Sequence, residues 1–235
     1  MRNSVLALLL TVVVVPASAA GAAETLRYEW RLRSPFSWIA RIKFPTSGAG
    51  VLRTEQTGAA LESSLRVSAG GHDYFEYRST MERDVSRTLT SRSGYAFGSK
   101  REVKETIYDY AAGVARTADQ DEGMTEIKTR PLTQDEARDA LTIIAYLRQH
   151  AARIRSPLST EVFSEGKRYS VTIQPKGTRT YVWNRQQVPA AVFEVVPAGQ
   201  QKDGGFTLWL SKDERRLPLR IILEQKYGSL DLRLR

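Results

Sequence analysis

Few residues in this chain have the types and spacing from which a catalyst is built. Its two histidines are His72, in a Gly-Gly-His-Asp joint, and His150, at the end of an apolar-striped segment. Neither has the spacing with which imidazoles share a metal ion, and His150 suits the negative end of a helix dipole. Ser63, Ser64 and Ser211 lack the flanking glycines of a nucleophile elbow. The carboxylates Asp109, Asp139, Asp213 and Glu224 could pair across a glycosidic bond, but no spacing selects two of them. Asp213 reads as a turn residue and Asp139 as a helix residue. The chain has no cysteine, which excludes thiol catalysis, cysteine–zinc sites and haem attachment. It also has no glycine-rich phosphate loop. The expectation is a protein without catalytic residues, metal or cofactor.

Aromatic and cationic residues carry more information. In "GGFTLWLSKDERRLPLRIIL", Phe206, Leu208 and Leu210 alternate with Thr207 and Ser211, as on a strand with one face in a core. Trp209 falls on the other face, and so does Ile222 on the returning strand. That face is covered by a helix, by a ligand, or by arginine stacking in water. Trp30, Trp38, Trp183 and Trp209, with Tyr28, Tyr74, Tyr108, Tyr110 and Tyr146, could line the concave face of a curved sheet. Such a lining is either a packed core or the wall of a cleft for an acyl chain or a flat glycan.

The N-terminus reads as an export signal. Arg2 precedes an apolar run from Val5 to Val15, Pro16 ends it, and Ala17-Ser18-Ala19 offers the small residues of a cleavage site. The run is too short for a stable transmembrane anchor. Residues 1–19 are therefore expected to be removed, leaving residues 20–235 as a soluble, periplasmic, single β-rich domain without a membrane anchor. Across the whole chain 35 Lys and Arg face 26 Asp and Glu, so the surface favours anionic partners such as lipid headgroups or acidic glycans. The charges are scattered singly along the chain. Nucleic acid is not expected, because no aromatic-basic module is present.

Period-two alternation dominates what must position these residues. "TLRYEWRLR" sets Leu26, Tyr28, Trp30 and Leu32 against Arg27, Glu29, Arg31 and Arg33. Further alternating runs follow in "WIARIKFP", "LESSLRVSA", "HDYFEYRSTMERDV", "SRTLTSRSGYAFGS" and "REVKETIYDYAAG", with "TSGAG" as a turn. After residue 155 strands resume in "KRYSVTIQP", "TRTYVWN" and "AAVFEVVPAG", with Gly177 and Asn184 as turn signals. Between them, "LTQDEARDALTIIAYLRQHAARIR" predicts a helix over residues 133–155. Thr133 and Glu136 form its capping box, and one apolar stripe runs through Leu141, Ile144 and Leu147. The expected fold is mainly β: a curved antiparallel sheet or open barrel with this one helix packed against it.

The stretch "FTLWLSKDERRLPLRIILEQKYGSLDLRL" resembles the C-terminal signature of an exported bacterial family, domain of unknown function 3108. The matching residues are Trp209, Leu210, Ser211, Asp213, Arg215, Arg216, Pro218, Tyr227, Gly228 and Ser229. "RDALTIIAYLRQ", with Asp139, Leu141, Tyr146, Leu147 and Arg148, is similar to the family's helix. "LRYEWRL" and "IYDYAAGVAR" are similar to its opening strand and its aromatic-Asp strand. The likeness is less complete over Ser34–Pro45. It implies an exported, mostly antiparallel β domain and carries over no assigned enzymatic activity. More distantly, the architecture resembles the half-barrel lipoprotein carriers of the periplasm, which hold acyl chains between sheet and helix.

These readings converge on a non-enzymatic binding or carrier module for an apolar or amphipathic envelope component, a lipid or glycolipid. An envelope assembly or structural protein with a protein partner is the alternative, and a hydrolase of an envelope polymer the third. The ligand-binding candidates are Trp209, Arg148, Tyr146, Trp30 and Arg216. Arg148 and Trp209 are expected to lie together, flanking a ligand or stacked on one another.

Overall fold

The computed structural model describes residues 23–33, 45–70, 72–121, 123–132, 137–164, 167–198, 204–225 and 228–235. The expected "WIARIKFP" strand, Trp38 and the Thr133–Glu136 capping box lie outside these. Fourteen strands form one sheet in which every neighbouring pair is antiparallel. The first eight are β1 (Glu24–Arg33), β2 (Ser47–Thr57), β3 (Ala60–Gly70), β4 (Asp73–Glu82), β5 (Thr88–Phe97), β6 (Lys100–Asp109), β7 (Val114–Asp121) and β8 (Met124–Pro131). Helix α1 (Ala140–His150) follows. Then come β9 (Leu158–Ser164), β10 (Lys167–Trp183), β11 (Gln186–Pro197), β12 (Phe206–Ser211), β13 (Pro218–Gln225) and β14 (Gly228–Leu234).

The strand order is β8-β7-β6-β5-β4-β3-β2-β1-β14-β13-β12-β11-β10-β9. Two meanders are thus joined where the first strand pairs with the last, Tyr28 opposite Leu234 and Leu32 opposite Leu230. The segment carrying α1 runs from one sheet edge, β8, to the other, β9. Among the described residues the sheet does not close into a barrel. Residues 137–139 instead bridge its arms: Thr88 N donates to Ala137 O (2.9 Å), and Phe163 N donates to Arg138 O (2.9 Å). Tyr108 Oη adds a bond from β6 to the Phe163 carbonyl of β9, at 3.2 Å.

The inner face is apolar over β1–β3 and β10–β14, where Tyr28, Trp30, Leu52, Leu208, Leu210, Ile221 and Leu232 are buried. Leu141, Ile143, Ile144 and Leu147 of α1 belong to the same buried cluster, so the helix fills the concavity. On β3–β7 the inner face instead carries buried hydroxyls, Ser63, Ser79, Ser91, Thr106 and Thr117. These pair among themselves and with the polar end of the helix: Thr106 with Thr117 at 2.9 Å, and Thr88 with Thr142 at 2.7 Å. Each buried hydroxyl that is satisfied in this way avoids a desolvation penalty of about 1–3 kcal/mol.

Three local expectations are corrected. The helix begins at Ala140, not near Thr133, because residues 137–139 are extended and spent on bridging β5 and β9. Asp139 is the N-cap, its carboxylate accepting from Thr142 N at 2.8 Å. "TSGAG" is not a turn but the start of β2. Gly48 and Gly50 lie under Trp30 and Tyr28, where a Cβ on Gly48 would come 2.0 Å from the Ser68 carbonyl and 2.7 Å from the Trp30 indole nitrogen. Gly177 is a bulge inside one 17-residue strand, β10, where the register shifts between Pro175 and Thr178. The hairpin turn lies beyond it at Asn184 and Arg185, both with positive φ, as a two-residue turn between twisted strands requires.

Two consequences can be measured. Gly48→Ala should cost roughly 1–3 kcal/mol in denaturant unfolding, because it overpacks the site and displaces the acceptor of the Trp30 N–H. Asp139 should make stability pH-dependent. Its burial pushes the carboxyl up to about 6, against hydrogen bonds from Ser79 and Thr142 that act the other way. The folded state therefore holds more protons than the unfolded state between the ordinary value of 3.8 and about 6. Stability should rise as pH falls through that window and be lost as pH rises through it. In Asp139→Asn, which keeps a capping side chain, the rise in melting temperature between pH 7 and pH 5 should shrink; an unchanged rise would assign it to another group.

Candidate functional site

The five sequence candidates do not form one site. Trp30 is buried in the core, its indole N–H donating to Ser68 O at 2.9 Å. Tyr146 lies on α1 with its ring under the Arg138 guanidinium (4.6 Å) and against His150. Arg148 stands at the rim. It forms a bidentate pair with Glu24 of β1 (2.6 and 3.2 Å) and donates to the carbonyls of Arg215 and Arg216 at 3.2 and 3.1 Å. Arg216 supplies that carbonyl from a left-handed backbone position, φ 46°.

Trp209 lies on the opposite side of the sheet, between the inward-facing Leu208 and Leu210. The expectation that it meets Arg148 or the helix is overturned. It is covered by Tyr181 of the β10–β11 hairpin, edge-on at 6.0 Å, and by the Arg220 guanidinium at 5.4 Å. The bulge at Pro175–Thr178 lets β10 continue far enough to bring Tyr181 there. Tyr74 is another outer residue, beneath the Arg66 guanidinium at 4.1 Å.

The carboxylates considered above all have structural partners or stand apart. Asp109 accepts from Ala112 N and Arg116 in a turn. Asp213 accepts from Ser211 Oγ (2.6 Å) and Arg216 N, while Ser211 Oγ accepts from Leu217 N (2.7 Å), so the "WLSKD" signature builds the β12–β13 turn. Among the described residues, no group of three or more His, Asp and Glu could hold a metal ion.

The outer face is what the sequence left unassembled. Alternation turns Arg27, Arg31 and Arg33 of β1 outward, and the cross-strand register brings arginines of neighbouring strands beside them. Around the β1–β14 seam, Asp231 is only 2% exposed and receives Arg33 (2.7 Å), Arg220 (2.6 and 3.0 Å) and Arg233 (3.1 Å). Burial alone would raise its carboxyl, but hydrogen bonds from Arg220 and Arg233 outweigh that and hold it below the ordinary value. Three guanidinium groups on one carboxylate leave an excess of positive charge next to Trp209 and Tyr181.

Two strands further, a groove of about 390 Å³ opens on the same face, lined by Arg53, Arg78 and Arg92 with Ser64, Thr80 and Thr90. Arg53 sits opposite Ser64, Ser64 opposite Arg78, and Arg78 opposite Arg92, so the cations form one row across β2–β5. The next row holds Glu55 opposite Glu62. Glu55 is paired with Arg53 at 2.7 Å and is 43% exposed, unlike the desolvated setting of a general acid. The arginines were readable as alternating residues; their juxtaposition depends on strand register, which sequence does not show.

This geometry defines an antiparallel, barrel-like β protein with a helix packed against its inner face and an arginine-bearing outer face. A family model described as "Protein of unknown function (DUF3108)" matches residues 38–235, and the chain belongs to that family. Among solved structures it is similar to the crystal structure of a β-barrel-like protein of the domain of unknown function DUF1849 from Brucella abortus. The TM-score is 0.57 at 10% identity, over 90% of this chain and 94% of that one. The likeness shows the fold. Comparison with curated proteins finds no match.

Truncation of the candidate residues should separate their roles. Arg148→Ala leaves Glu24 and two carbonyls without their donor at a partly exposed rim, and should cost roughly 1–3 kcal/mol. Trp209→Ala should cost less than the 3–5 kcal/mol of a core aromatic, about 1–2 kcal/mol. Trp209→Phe should be near neutral, because the indole N–H is buried with no acceptor among the described residues. Urea unfolding of the three variants tests this order; a loss at Trp209→Ala above that at Arg148→Ala would place Trp209 in the core after all.

Proposed function

We propose that the protein is a non-enzymatic, exported binding module for an amphipathic anionic component of the cell envelope, a lipid or glycolipid, and that it acts in the periplasm after residues 1–19 are removed. It engages its ligand from outside, by the headgroup. One observation carries this reading: the arginines of β1–β5, β13 and β14 collect on one solvent-facing side of the sheet, while α1 and its apolar stripe occupy the inside. An acyl chain enclosed between sheet and helix, as in the half-barrel carriers, would need the volume that Leu141, Ile143, Ile144 and Leu147 fill. Cationic side chains on a broad face attract anionic headgroups, and this attraction is screened over a Debye length of roughly 10 Å at 0.1 M salt.

An envelope protein partner is a second reading, favoured by strand β8, which among the described residues is an edge of the sheet. Met124 and Ile127 there are 74% and 70% exposed, and the unpaired edge could accept a further strand.

Vesicle co-sedimentation of the mature protein tests the proposal. Partition onto phosphatidylglycerol-containing vesicles, falling steeply with added salt, is the expected result, with little binding to phosphatidylcholine alone. Equal partition onto both, or none onto either, would remove the headgroup reading. Ile127→Lys should leave vesicle binding intact.

A further inference from the structure

The groove between β2 and β5 has a specific chemistry beyond the general charge of its face. Arg78 and Arg92 are directly opposed in register across β4 and β5. Like charges in that position repel and destabilise the pair of strands. Arg53 and Arg78 are each oriented by a glutamate two residues along their own strand, Glu55 at 2.7 Å and Glu76 at 3.0 Å. Arg92 makes no ion pair among the described residues, although Glu105 is its register partner on β6. The groove thus presents one guanidinium without an acid partner beside one held in place by its own glutamate.

Around this pair stand hydroxyls. Ser64 precedes Arg78 in the row, and Thr80 and Thr90 are opposite one another in the next. Guanidinium forks with short hydroxyl donors are the groups that recognise the oxygens of a tetrahedral oxyanion, each fork engaging two oxygens at once. The opening of about 390 Å³ holds a phosphoryl group with the first carbons of its ester.

We propose that this groove is a phosphate-ester site in which Arg78 and Arg92 clamp one phosphoryl group, with Ser64 and the Thr80–Thr90 pair donating to its remaining oxygens. The proposal rests on the headgroup reading above and names what that headgroup carries. A dianionic ligand between the two arginines converts their repulsion into two charge-assisted contacts. Glu62 and Glu105 also line the groove. They stand on either side of the clamp, so an ester whose alcohol carries an amine should bind more tightly than inorganic phosphate.

Calorimetric titration of the mature protein with inorganic phosphate and with phosphoethanolamine tests the site, alongside Arg92→Gln, Arg92→Lys and, as a control away from the arginine-bearing face, Arg130→Gln on β8. Both ligands should bind the wild-type protein, phosphoethanolamine the more tightly. Arg92→Gln and Arg92→Lys should each lose roughly tenfold or more, since lysine keeps the charge but not the fork. Arg130→Gln should bind as wild type. Absence of phosphate binding, or wild-type affinity in Arg92→Lys, would overturn the clamp. Vesicles containing phosphatidic acid separate the two readings and the two sources. Vesicle binding that is lost in Arg92→Gln assigns the site to a lipid headgroup. Phosphate binding at Arg92 without vesicle binding leaves the site standing for a soluble ester and removes the membrane-headgroup reading. Vesicle binding by a protein that does not bind phosphate removes the clamp alone.

Discussion

The fold turns on a helix held at both ends inside a sheet that does not close. At its N-terminus, Asp139 caps Thr142 and accepts from Ser79 of β4, while its backbone N–H donates to Thr88 of β5 at 3.0 Å. At the other end Arg148 gathers the start of β1 and the β12–β13 turn through Glu24 and two carbonyls. One end is fixed to the first meander and the other to the junction of both. Without these anchors the apolar stripe of α1 would still favour burial, but nothing would set which strands it touches. The cost is the ionisable group left in the interior at Asp139, tolerated because its carboxylate accepts from Ser79 and from Thr142 N.

Much of this was legible in the sequence because alternation is a local signal. Leu26, Tyr28 and Trp30 face in and Arg27, Glu29 and Arg31 face out, as their spacing requires. The errors came where a distant partner overrides a local preference. Residues before Ala140 are good helix formers, yet Arg138 pairs with Val162 and is extended. Gly48 and Gly50 read as a turn, yet they serve as the space beneath two aromatic rings. Pro175 and Gly177 read as the end of a strand, yet the ladder resumes after a bulge. In each case the deciding contact lies far away along the chain, beyond the reach of any window on the sequence.

The same physics accounts for the residues that carry the family signature. Ser211 and Asp213 shape the turn, Arg216 turns its carbonyl toward Arg148, and Pro218 offers its carbonyl to the Tyr28 hydroxyl at 2.8 Å. Asp139, Leu141 and Leu147 fix and bury the helix. These residues are tied to one another by hydrogen bonds and packing, so they explain the architecture. The groove arginines Arg53, Arg78 and Arg92 lie outside that signature.

Those residues are on the outer face. Helix α1 packs in the concavity of the sheet, and on the outer surface affinity comes from charge and shape more than from enclosed apolar area. Two arrangements of arginine on that surface differ in kind. Around Asp231 three guanidinium groups share a carboxylate that the protein itself supplies, and they fasten β1 to β13 and β14 across the seam. Across β4 and β5, Arg78 and Arg92 face each other with no carboxylate between them. In the proposed site an oxyanion from outside the chain takes the place between them that Asp231 fills at the seam.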